Sequence, residues 1–246
     1  MDAQVPLVVP EVNGDSAGDH AGILANPNCS TILLVLALAP LHRAAGLRRV
    51  VVSTYQAASG AGQRAVEELR EGTRAALDGR AFTPEALPHD LAFNVFPQVD
   101  AFEPSGYTRE EDKLLHETRR ILDLPDLAVD ATCVRVPVER SHSESVTVEL
   151  ERALSPDEAR AILSDAPGIE VIDDPVACRY PQPIRMSGRE SVAVGRIRAS
   201  RAFPGGLSFW LAGDQLRKGA ALNAVQIAER LINTPSRPQS SSGRTQ

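Results

Sequence analysis

Apolar and polar positions along the chain divide it into short β-rich runs separated by amphipathic helices. Residues 5–9, VPLVV, read as a short buried strand, and the polar NGDSAGDHAG leads to a second one, ILA, at 23–25. Residues 30–43 read as an apolar helix. The β-branched run LRRVVVSTYQ reads as a buried strand ending near Tyr55. A small-residue turn, Ser59 to Gly62, follows it and opens an amphipathic helix carrying Ala65, Leu69 and Ala76. Residues 78–107 are rich in Pro, Gly and aromatics and read as loop with one short strand, LAFNVFP. From Thr108 a Thr-x-x-Glu capping box starts a helix with Leu114, Leu115, Ile121 and Leu122 on one side.

LAVDATCVRVPV and SVTVEL are the next two strands, and SPDEARAIL is a Ser-capped helix. IEVID, VAVGRIRA and GLSFWLA are later strands, DQLRKGAALNAVQIAERLI at 214–232 is the closing helix, and the Ser/Pro-rich 234–246 reads as a disordered tail. These elements predict an α/β (α+β) fold on a mixed, largely antiparallel sheet.

Charge changes the picture by exclusion. The 246 residues carry 26 Lys plus Arg against 32 Asp plus Glu, a net charge of −6, so no basic surface points to nucleic acid or anionic membrane. The longest apolar run, ILLVLALAP, is too short to span a bilayer, and MDAQVPLVVPEV has neither a charged n-region nor an h-region. A cytoplasmic protein is expected. Cys29, Cys133 and Cys178 are odd in number and widely spaced, which argues against a disulfide framework and a zinc site; no metal is expected.

Cys29 is the cysteine with a chemically suggestive position. In ANPNCST, Pro27 and Asn28 make a turn with Asn28 as N-cap, so Cys29 opens the helix. Unpaired N–H groups and the positive dipole end there favour thiolate over thiol. The alternative is a small buried apolar residue. His142 in ERSHSES falls at a break between strands, where a loop presents it as a base for a thiol nucleophile. Arg135 lies inside an apolar strand and needs a carboxylate partner, either a ligand's or the protein's own.

ANPNCST, STYQAASGAG, TREEDK, CVRVPVERSHSES and GDQLRKGAALNAVQIAE occur in the order and spacing of aspartate-β-semialdehyde dehydrogenases, a family that this sequence resembles over nearly all of 1–233. The resemblance implies NADPH-dependent reductive dephosphorylation of L-aspartyl 4-phosphate to the semialdehyde through a cysteine thioester, in lysine, threonine, methionine and diaminopimelate biosynthesis. It implies Cys29 as nucleophile and His142 as acid/base. Gln56 then orients the substrate, Arg135 grips its α-carboxylate, Glu110 meets its α-amino group and Lys113 its phosphate. Ser59, Gly60 and Gln215 contact the NADP cofactor, and a homodimer is expected. Cys133 and Cys178 read as structural. Without the motif, Glu110 and Lys113 are an ordinary i,i+3 surface pair.

One departure accompanies the resemblance. The glycine-rich βαβ fingerprint of the family's dinucleotide-binding domain does not occur, and Met1 aligns with an interior position of a typical member. The expected organisation is 1–27, the end of a truncated dinucleotide-binding domain; 28–210, the catalytic and dimerisation domain; 211–233, a helix that packs on the nucleotide-binding domain; and the tail. The apolar face of that helix, with Leu216, Ala220, Ala221, Val225 and Ile227, is expected to be partly exposed. Two other readings stand beside the enzyme. One is a non-catalytic dimerisation module. The other is a relative of N-acetyl-glutamyl-phosphate reductase, against which TYQAASG and TREEDK weigh.

Overall fold

The computed structural model describes residue 2 and residues 4–233; the expected tail lies outside the described residues. Six strands form one mixed sheet in the order β2-β1-β3-β6-β5-β4: β1 (Leu47–Gln56), β2 (Ala128–Arg135), β3 (His142–Leu150), β4 (Ile169–Val171), β5 (Val192–Ala199) and β6 (Leu207–Gly213). The pairs β1/β2 and β4/β5 are parallel, and the other three are antiparallel. The helices are α1 (Pro10–Asn13), α2 (Cys29–Ala45), α3 (Gln63–Leu77), α4 (Arg109–Leu122), α5 (Pro156–Ser164), α6 (Pro183–Met186) and α7 (Leu222–Asn233).

Period-two alternation decides the layers. On β1, Val50, Val52, Thr54 and Gln56 are buried, while Val51 and Tyr55 lie on the opposite, open face. Helix α2 is apolar all round, and Ile32 to Ala39 are buried against the sheet, as expected of a core helix rather than an amphipathic surface one. Each fully buried Leu there contributes about 1.5–3 kcal/mol of transfer free energy. No helix among the described residues is long and apolar enough to cross a membrane.

Several expected elements differ. VPLVV and ILA form no regular strands; they meet in one parallel bridge, Leu7 to Ala25, because no further strand flanks them to extend a ladder. LAFNVFP likewise gives only a bridge from Phe96 to Arg135. The closing helix does not begin at Asp214. A π-helical turn spans Arg217–Ala221 and α7 follows it, with Lys218 turned into the interior. On that segment Leu216 and Val225 are exposed, as expected, whereas Ile227 is buried with Val8 and Ala17.

Candidate active site

The topology brings the carboxyl ends of β1, β2 and β6 and the first residue of β3 to one end of the sheet. Gln56 is in register with Arg135 across the parallel pair, and His142 with Gly213 across the antiparallel one. The N-termini of α2 and α4 open at the same end, delivering Cys29, Glu110 and Lys113. Side chains separated by up to 186 sequence positions thus reach one site, from Cys29 to Gln215.

Cys29 occupies the first turn of α2, capped by Asn28, whose Oδ1 accepts from the Ser30 and Thr31 amides at 3.0 and 3.1 Å. The thiol is half-buried. Its pKa is pushed up to about 12, first by burial and then by the Glu110 carboxylate, which together outweigh the favourable helix terminus. The sequence-based expectation of a resting thiolate is therefore reversed: the free protein holds a thiol.

His142 is not on a loop. It is the first residue of β3 and completely buried, and the turn is made instead by Ser141, at φ 74° in the left-handed region. The Gln215 Oε1 accepts the Ser141 amide at 2.8 Å, and its Nε2 donates to Ser59 Oγ at 2.6 Å, so this amide ties together the two turns beside the imidazole. The Ala57 amide donates to His142 Nδ1 at 3.0 Å, while Nε2 is buried without a partner. Burial, then the Arg135 charge, holds the ring's pKa well below 6.5, so it is neutral.

Arg135 Nη1 donates to the Ala57 carbonyl at 2.7 Å and its Nε has no partner. No carboxylate among the described residues forms an ion pair with this buried guanidinium, which leaves its fork open to a ligand. Gly60 closes the gap above both groups. A Cβ there would lie 3.0 Å from His142 Cε1 and 3.1 Å from Arg135 Nη1.

Glu110 gathers the polar side chains. Its Oε1 accepts from Asn28 Nδ2 at 2.8 Å and from Gln56 Nε2 at 3.0 Å, and its Oε2 from Lys113 Nζ at 3.3 Å. Lys113 also reaches Asp100 at 3.1 Å; burial opposes its charge, but Asp100 and Glu110 prevail and raise its pKa. The Thr54 hydroxyl donates to Gln56 Oε1 at 3.0 Å, fixing which end of the amide faces Glu110.

Residues 38–218 match the family described as semialdehyde dehydrogenase, dimerisation domain. An aspartate-semialdehyde dehydrogenase of Aquifex aeolicus is 54% identical over 236 residues, which cover 94% of this chain and 69% of that relative. The chain belongs to the aspartate-semialdehyde dehydrogenase family. These are oxidoreductases of amino-acid biosynthesis. A crystal structure of aspartate semialdehyde dehydrogenase II complexed with ASA from Vibrio cholerae is 40% identical, with a TM-score of 0.91 over 94% of this chain and 69% of that one. An aspartate semialdehyde dehydrogenase with NADP from Candida albicans is 26% identical, with a TM-score of 0.70 over 93% of this chain and 67% of that one.

All nine residues singled out from the sequence lie at this end of the sheet or on the turns that frame it. Others were missed. Glu111, the capping-box partner of Thr108, also accepts from the Cys133 amide at 2.8 Å, a tie its local spacing does not signal and one that fixes the N-terminus of α4 to β2. Gly219, in the π-helical turn, would carry a Cβ only 3.1 Å from Cys29 Cβ. Buried Lys218 is met by Glu11 at 2.7 Å and Gln226 at 2.6 Å, and Asn223 donates to Asn26 Oδ1 at 2.7 Å, anchoring the turn before Cys29. A lysine and an asparagine within an apolar helical pattern were the available signal for these.

Proposed function

We propose that this site reduces L-aspartyl 4-phosphate to L-aspartate 4-semialdehyde through a thioester on Cys29. The observation that carries the reading is the open Arg135 fork beside Cys29 and His142, next to the Glu110 carboxylate, which already pairs with one ammonium, that of Lys113. This is a site for an α-amino acid. The substrate carboxylate pairs with Arg135, its amine with Glu110, and its phosphate with Lys113.

The chemistry follows from the side chains. Cys29 Sγ bonds to the acyl carbon, the C–O bond to phosphate breaks, and the thiol proton leaves with the phosphate. The Gln56 amide orients the acyl group. NADPH, when bound, supplies the hydride that reduces the thioester. As the aldehyde departs, the C–S bond breaks and the Sγ thiolate takes up the solvent proton that the overall reduction consumes, while the His142 Nε2–H hydrogen-bonds to the reacting carbonyl oxygen and stays on the ring. Ser59 and Gly60 suit the reacting end of the cofactor, because Gly60 brings bare backbone against the imidazole; Gln215, its amide engaged by Ser59 and Ser141, acts by holding that turn. The described N-terminal segment packs with α7 through Val8, Ala17 and Ile227, which supports assigning 1–27 and 211–233 to the nucleotide-binding side and 28–210 to the catalytic and dimerisation domain.

A second copy of this chain is the expected partner. The open sheet face presents Val51, Tyr55 and Trp210, with the two aromatic rings 5.1 Å apart, in a family defined by its dimerisation domain. A cytoplasmic location accords with a biosynthetic enzyme. Acylation needs no cofactor, so the test is intact-mass spectrometry of the chain incubated with aspartyl phosphate. One acyl group on Cys29 and one phosphate released per chain are expected, followed by semialdehyde formation with NADPH. A dimer that never acylates Cys29 would overturn the reading.

A further inference from the structure

Asn28, next to the nucleophile, spends every polar group it presents toward the site. Its Oδ1 caps α2, and its Nδ2 donates to Glu110 at 2.8 Å. Its backbone N–H donates to Glu117 Oε2 at 2.7 Å. Glu117 lies seven residues beyond Glu110 on α4, two turns along the same face, and is only 6% exposed. Helix α4 is held at both ends. Glu111 fixes its start to β2, and Arg119 Nε donates to the Leu127 carbonyl at 2.7 Å near its finish.

A carboxylate on a fixed rod therefore grips the residue that sets both the start of the nucleophile helix and the orientation of Glu110. We propose that Glu117 is a positioning residue for the reaction: through the Asn28 N–H it fixes Cys29 relative to the amine-binding Glu110. It touches no substrate atom. The geometry gives it this role because Asn28 is the shared partner of Glu110 and Glu117, so a shift of the turn displaces the nucleophile and misdirects Glu110 together. This rests on the reading of Cys29 as nucleophile.

Three variants separate the hydrogen bond from the charge. Glu117→Gln removes charge but keeps an acceptor of the same reach, Glu117→Asp keeps charge but shortens the reach, and Glu117→Ala removes both. Alkylation of Cys29 by iodoacetamide, followed by peptide mapping, reads the turn directly, with exposed Cys178 as the internal control. In E117D and E117A the Cys29-specific rate is expected to rise about threefold or more as the thiol is uncovered. Acylation by aspartyl phosphate should fall on the order of 10–100-fold, as for a small misplacement of a reacting atom. E117Q should stay within about twofold of wild type in both, a rescue that a charge effect does not give.

Should E117A fail to fold, E117D and E117Q decide alone. A wild-type Cys29 rate in E117D, or E117Q behaving like E117D, would overturn the proposal. A melting temperature lowered with unchanged Cys29 rates would mark a merely structural carboxylate. Failure of the wild-type chain to acylate would instead defeat the functional reading, and the alkylation comparison would still judge the position of Cys29.

Discussion

The Ala57 amide donates to Nδ1 of His142 at 3.0 Å, from the turn that follows β1. A neutral imidazole that accepts at Nδ1 carries its hydrogen on Nε2, the nitrogen left without a partner. With its pKa held well below 6.5 by burial and Arg135, the ring meets the substrate as a hydrogen-bond donor at one defined atom.

Replacing His142 by Ala should therefore lower kcat by about 10²–10³-fold with a smaller change in KM. Because the ring is already neutral at pH 7, the wild-type kcat/KM should show no inflection near 6.5 from this group. Steady-state kinetics across neutral pH check both points, and an unchanged rate in the variant would remove His142 from the reaction.

Cys29 should be slow to alkylate in the free protein at neutral pH, since its pKa is pushed up to about 12 by burial and by Glu110. The sign of the Glu110 contribution makes a distinctive prediction. Removing that negative charge favours the thiolate, so Glu110→Gln should alkylate faster at Cys29 while losing catalysis. Slower alkylation in this variant would contradict the assigned electrostatics.

Arg135→Lys should fold and lose on the order of 10–100-fold in kcat/KM, because an ammonium cannot reproduce a bidentate grip on a carboxylate. Thermal unfolding and kinetics on the same variant distinguish the roles. A structural arginine would lower the melting temperature and leave the kinetics of the folded protein intact.

Glu144, two residues after His142 on β3, is completely buried with both carboxyl oxygens unpartnered. Burial raises its pKa well above 4.5, so folding favours the protonated form. Its contribution to stability is present below pH 4.5 and is lost as pH rises through the folded-state pKa. Glu144→Gln, always neutral, should gain on wild type as pH rises, by about 2–4 °C in Tm for each ~1 kcal/mol. Melting curves from pH 4 to 8 (approximately the range in which carboxyl linkage operates) test this; a gain that shrinks with rising pH would show an ionised Glu144.

Elements whose signals are local were legible in the chain alone. Thr108 caps its helix with the reciprocal Glu111 bond that their spacing predicts, Ser155 caps α5 as expected, and the β-branched 47–56 run forms β1. The family was legible there too, since five motifs kept their order. Features set by partners distant in the chain emerge only when the elements pack together. VPLVV and LAFNVFP have strand-like composition but end as single bridges, because a ladder requires neighbours that the local sequence does not encode. The state of Cys29 reverses for the same reason. Its helix terminus is written locally, whereas the stronger opposing influences, burial and a carboxylate 81 positions away, exist only after α4 packs against α2. Glu117 was invisible as a functional residue because its role consists of one hydrogen bond to a backbone amide 89 residues distant, and a backbone amide leaves no mark in the sequence.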